Sequence, residues 1–98
     1  MFRHVVLFRW ADDASAEDRR AAVDALRAFG GDVQDLGRLT VGADAGVADG
    51  NFDAAVVVDF PDAGTYRRYA SDPRHVAVVS DYVKPILARR VAVQYQLD

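Results

Sequence analysis

The chain has 98 residues, with 12 basic and 15 acidic side chains for a net charge of −3, and it contains no cysteine. That length is read as a single domain over residues 1–98, and the missing cysteines exclude disulfides, thiolate nucleophiles and cysteine-rich zinc sites. The arginines fall in scattered pairs, Arg19-Arg20, Arg67-Arg68 and Arg89-Arg90, interleaved with acids. They form no basic stripe of the kind a phosphate backbone requires, so no nucleic-acid partner is expected. No apolar run approaches the roughly twenty residues of a membrane helix, and the opening residues lack the apolar centre of a signal peptide. A soluble, cytoplasmic protein is expected.

The opening "MFRHVVLFRW" reads as a strand, with Phe2, His4, Val6, Phe8 and Trp10 on one face and Arg3, Val5, Leu7 and Arg9 on the other. A helix follows in "SAEDRRAAVDALRAFGG", with Ser15 as its cap and Asp18 as a short capping-box partner. Val23, Leu26 and Phe29 form its inward stripe, and Gly30-Gly31 are expected to end it. "LGRLTVG" is a short strand, and "ADAGVADGN" is a Gly- and Asp-rich loop expected to be mobile. "FDAAVVVDF" is the most clearly patterned strand of the chain. Next comes a short helix capped by Asp62, then a second helix opened by Asp72 as cap and Pro73 at its first position. That second helix is expected to bury Val76, Val79, Val83 and Ile86, and to bend or end at Pro85. "VAVQYQL" closes the chain as a strand. The order β-α-β-β-α-α-β is that of a ferredoxin-like α+β protomer with a four-stranded antiparallel sheet and a divided second helix.

A sheet covered by helices on one side should turn polar on the other if that side meets water. The strands here do not. Ala55 and Val57 sit mid-strand on the second face of "FDAAVVVDF", as Val5 and Leu7 do between two arginines of the first strand. At about 25 cal/mol per Å² of apolar surface, wet exposure of several such side chains forgoes several kcal/mol. A second copy of the chain, packed sheet against sheet, is the simplest cover.

"FRHVVLFRW", "NFDAAVVVDF" and "YRRYASDPRHVAVVSDYVKPIL" together resemble the stress-responsive dimeric α/β-barrel (Dabb) family. Its members open with an R-H-hydrophobic strand, carry a Y/F-D-hydrophobic strand ending in Phe, and then show Y-x-x-H-P-x-H-V. The resemblance implies a protomer that pairs with itself into a dimeric α+β barrel. The family includes plant stress proteins and olivetolic acid cyclase-like polyketide cyclases, which close a polyketide by an aldol step. By that resemblance Tyr69 and His75 are candidate catalytic residues, and His4 is a candidate substrate-binding residue. This chain departs from the pattern in three ways, one being that the cyclase's first-helix tyrosine has no counterpart here. Asp72 replaces the first histidine of the H-P-x-H run, and a third-strand histidine of the cyclase would fall on Ala54.

At about the third position of its helix, His75 should be held neutral by the unpaired backbone N–H groups, as a general base near pH 7 must be. Tyr69 lies across the helix joint, where its phenol could hydrogen-bond a developing enolate oxygen. His4 shares its strand face with Phe8, and these two, with Val79, are candidates to line an apolar pocket. The alternatives remain open. His75 is equally a capping or packing histidine, His4 a satisfied core or interface histidine, and Tyr66 a packing residue. Asp53 and Asp59 are expected to meet arginines or solvent. No metal-ligand spacing is present, and no cofactor is expected. The readings are then a homodimer binding a small apolar, aromatic or polyketide-like ligand, a cofactor-free acid–base enzyme of the cyclase or lyase type, or a structural, protective stress protein.

Overall fold

A computed structural model describes all residues, Met1–Asp98. Four strands, β1 (Phe2–Trp10), β2 (Arg38–Ala43), β3 (Ala54–Phe60) and β4 (Leu87–Gln96), form one sheet in the order β2-β3-β1-β4, with the neighbouring strands antiparallel. Three helices, α1 (Ala16–Asp32), α2 (Ala63–Ser71) and α3 (Pro73–Val78), complete a ferredoxin-like α+β protomer. The expected order of elements is the observed one.

The helix starts follow local chemistry. The Ser15 hydroxyl accepts the Asp18 amide, the Asp62 carboxylate accepts the Thr65 amide, and Asp72 accepts the Arg74 amide. Each satisfies a backbone donor that has no partner within its helix. The core forms where α1 and α2 lay their apolar sides on the inner face of the sheet. Val23, Leu26 and Phe29 of α1 meet Val6, Phe8, Val56, Val58 and Phe60, all buried.

Two expectations about the helices and one about a strand need correction. Gly30-Gly31 do not stop α1, which runs through both to Asp32. Instead Gly30 permits a close approach, since a Cβ there would lie 2.9 Å from Leu39 Cδ2 of β2. Val76 is not in the core but 51% exposed, and Val78 is buried in its place. The reason is a single π turn, Val79–Val83, in which the Lys84 amide bonds the Val79 carbonyl. Across that wider turn the buried stripe steps from Val78 to Val83, a spacing of five rather than the seven that would join Val76 to Val83. Pro85, which has no N–H to continue an α pattern, follows within a 3-10 turn, Lys84–Ile86. The last strand accordingly begins at Leu87, earlier than "VAVQYQL" implies.

The outer face of the sheet is as apolar as its sequence promised. Val5 pairs with Val57 and Val93, and Leu7 with Ala55 and Val91. In the protomer these are at best half-buried, and Val93 and Tyr95 stand 58% and 45% exposed. Tyr82, read as a core or rim aromatic like Tyr95, is also exposed. Charge appears only at the ends of this face. Arg3 grips Asp59 with two hydrogen bonds of 2.7 and 2.8 Å, and the Arg9 guanidinium lies 4.5 Å over the Phe52 ring. Asp53 has a backbone task rather than an arginine partner: its carboxylate accepts the Trp10 amide at 2.8 Å. In the loop between β2 and β3, the Asp44 side chain accepts from the Gly46 amide and from Asn51.

Candidate functional site

On the inner face, between β1, β4 and the π turn, lies a pocket of about 140 Å³ lined by His4, Phe8, Tyr69, His75 and Val79 among others. All five residues singled out in the sequence thus meet in one place. The volume is smaller than a polyketide chain needs, yet comparable to the roughly 150 Å³ cavity that accommodates a benzene ring.

Two irregularities of the backbone shape this pocket. The π turn presents Val79 and Val83 to it, and the side chains of Lys84 and Leu87 follow at its rim. Opposite, the register of β4 against β1 shifts between Arg9 and Trp10: Leu87 pairs with Trp10, Arg89 with Arg9, and Arg90 with Phe8. The extra residue, Ala88, places both Leu87 and Arg90 on the pocket side, although positions three apart in a regular strand face opposite ways. Sequence periodicity assumes regular elements. It therefore missed Arg90, Lys84 and Val83 as pocket residues, and Pro85 was the one local signal of the irregularity.

Within the pocket the aromatic rings form a connected set. His75 packs on Tyr69 with ring centroids 4.7 Å apart, and on Phe29 at 6.0 Å. Tyr69 meets His4 at 6.5 Å and Phe60 at 5.0 Å, and only 4% of it is exposed. Tyr66 packs against Phe2, His4 and Phe60, the role expected of it. The joint at Asp72-Pro73 therefore brings the Tyr69 and His75 rings into contact, tilted at 51° to each other.

The two histidines differ in how they are held. His4 is buried, and its Nδ1 lies 2.9 Å from the Gln94 side-chain amide, which fixes the ring. Burial, with Arg90 and His75 adding to it, lowers the His4 pKa to about 4. His75 Nδ1 is buried without a hydrogen-bond partner in the protomer. Burial lowers the pKa of His75 as well. The Ala70 backbone, close to the ring but making no hydrogen bond of good geometry with it, and the Asp72 carboxylate oppose the shift, Arg90 reinforces it, and the lowering prevails. The neutral ring anticipated from the helix start is therefore chiefly a desolvation effect, α3 being only six residues long. Burial raises the Tyr69 pKa, with Tyr66 acting in the same direction and Arg90 against it, so the phenol keeps its proton and can donate. No group of three or more His, Cys, Asp or Glu side chains converges to hold a metal ion.

A larger, open hollow of about 780 Å³ lies on the outer face against Leu7, Ala55 and Val57, and includes none of these rings. No helix is long and apolar enough to cross a membrane.

Fold and pocket together define a small ferredoxin-like α+β protein with one aromatic, histidine-bearing cavity under its helices and a bare apolar sheet face. The chain belongs to the Dabb family, the stress-responsive A/B barrel domain, whose sequence profile matches residues 2–97. It is similar to an uncharacterized protein from Streptomyces coelicolor, 33% identical over 82 residues that cover 82% of this chain and 84% of the relative. Among solved structures it is similar to a dimeric ferredoxin-like protein of unknown function from Thermobifida fusca. That likeness has 38% identity and a TM-score of 0.88, and covers 98% of this chain and 90% of the other. A dimeric protein of unknown function from Bacteroides fragilis shares the fold at 21% identity and a TM-score of 0.84, covering 98% and 95% of the two chains.

Proposed function

We propose that this protein is a cytoplasmic homodimer whose protomers each bind a small organic ligand in the pocket beside His75. The observation that carries the reading is the buried His75 Nδ1, without a partner in the protomer, on a residue that lines this largely apolar cavity. Buried polar atoms are nearly always satisfied, and an unsatisfied one facing a void is matched by whatever fills that void. The dimer is supported by the bare outer sheet face and by the dimeric relative from Thermobifida fusca. A structural, protective role with a filled interior fits less well, because a ring-sized space remains.

Benzyl alcohol, sized for a single-ring cavity, is expected to shift the NMR signals of Val79, Val83 and the His75 ring. Val79→Phe, which fills the space, is expected to abolish those shifts. Shifts that persist in Val79→Phe would place the ligand elsewhere, and unperturbed signals in the parent protein would leave the pocket without a binding role.

One observation favours a second, catalytic reading: a neutral histidine and a protonated tyrosine face the same cavity. His75 can take a proton from the carbon next to a bound carbonyl while the Tyr69 hydroxyl donates to the enolate oxygen. Return of the proton to carbon restores both groups. Acetophenone in D2O is then expected to exchange its methyl protons for deuterium faster with the protein than without it. His75→Ala should remove that acceleration. An unchanged rate in the variant would show that His75 is not the base.

A further inference from the structure

We propose that the pocket selects a small organic anion, a carboxylate or enolate about one ring in size, with its negative end at Arg90 and Lys84 and its apolar body against Val79, Val83 and Phe8. The inference deepens the binding reading above and rests on it.

The argument begins with charge. The chain as a whole carries a net charge of −3, yet no aspartate or glutamate lines this cavity, whereas two cations do. Arg90 and Lys84 are both exposed, which puts their charges at the mouth, and neither takes part in any ion pair of the protomer. The other arginines near carboxylates are committed: Arg3 to Asp59, and Arg74 to both Asp72 and Asp35. The nearest carboxylate to act on His75 is that of Asp72, and it is already held by Arg74 at 2.9 Å.

The placement of Arg90 follows from the β4 irregularity rather than from strand alternation. The extra residue at Ala88 brings Arg90 opposite Phe8 and onto the cavity side. Bulges of this kind re-aim a side chain next to a functional site. Arg90 lines the cavity, and its charge acts on His4, Tyr69 and His75 alike. A guanidinium offers paired N–H donors that match the two oxygens of a carboxylate, and Lys84, lining the same cavity, adds a second positive charge. The space of about 140 Å³ behind them has room for a ring and not for a long chain.

The test compares benzoate with benzamide, an uncharged probe of nearly the same shape, by NMR titration of the whole protein at pH 7 and low salt. Benzoate is expected to bind at least about tenfold more tightly, to weaken as salt is added, and to raise the pKa of His75 when bound. Arg90→Gln should reduce benzoate affinity about five- to tenfold and benzamide affinity far less, with Lys84→Gln a smaller change in the same sense. An amide spectrum unchanged away from the pocket serves as the control for folding. Equal affinities for the two probes, or benzoate binding indifferent to Arg90→Gln, would overturn the anion inference while the pocket reading stands. Failure of both probes to perturb the pocket would remove the two together.

Discussion

In the proposed homodimer Val57→Asp is expected to separate the two copies, read by sedimentation velocity as a fall to the 10.7 kDa protomer mass from twice that value. Val57 sits mid-strand on the outer face, paired across β3 and β1 with Val5 and across β3 and β2 with Thr40. Val91, Val93 and Tyr95 extend the same face along β4. A stable interface commonly buries about 800 Å² per partner, and a face of a four-stranded sheet is of that order. At about 25 cal/mol per Å², the apolar part of such a face contributes several kcal/mol on association. A carboxylate at its centre would be desolvated with no cation opposite, because the arginines of this face stand at its ends, Arg3 on Asp59 and Arg9 over Phe52. The cost of burying that charge unpaired is also several kcal/mol, enough to raise the dissociation constant by orders of magnitude. The variant protomer should remain folded, since the inner face is untouched. If Val57→Asp stays dimeric at micromolar concentration, the contact between copies uses another surface.

The same residues explain why the fold was legible before the structure and the pocket only in part. Regular strands alternate, so "NFDAAVVVDF" disclosed both the inner row of Ala54, Val56, Val58 and Phe60 and the unusual outer row of Ala55 and Val57. Capping chemistry is local, so Ser15, Asp62 and Asp72 announced their helices correctly. The helix end at Gly30-Gly31 was misread because a glycine that permits a turn and a glycine that permits close packing are the same letter. The Leu39 side chain decides between them, and it comes from another element. Tyr69, His75 and His4 came from the family resemblance, and the structure gathers them around one cavity. Arg90 and Lys84 were invisible to both kinds of reading. Their placement depends on one extra residue in a strand and one widened turn in a helix, and periodicity is blind to both until the register between elements is known.

Acidification should destabilise the protein through His4 well before its carboxylates matter. The folded imidazole takes a proton only near pH 4, held back by burial first and by Arg90 and His75 after it, while the unfolded ring does so near 6.5. Between those values the unfolded chain binds more protons, so stability falls as pH drops through the window and is fully regained above it. At about 1.4 kcal/mol per pH unit the His4 window, from 6.5 to about 4, corresponds to roughly 3.5 kcal/mol, a large part of the 5–15 kcal/mol typical of a domain. His75, lowered in the same direction, adds to the loss. The carboxylates act lower down. Asp72, hydrogen-bonded to Arg74 and held near pH 2, and Asp62, bonded to Thr65, stabilise the fold above 3.8 and lose that contribution as pH falls further. Urea unfolding at pH 7 and 4.5 separates the two classes. His4→Gln, which cannot titrate, should lose about 2 kcal/mol less than the parent protein over that interval. An equal loss in both, or an NMR titration of His4 centred near 6.5, would mean that the ring is solvated and that the cavity behind Arg90 admits bulk water. In that case His75 would lose the same desolvation that keeps it neutral, because the two rings line one space and feel the same arginine.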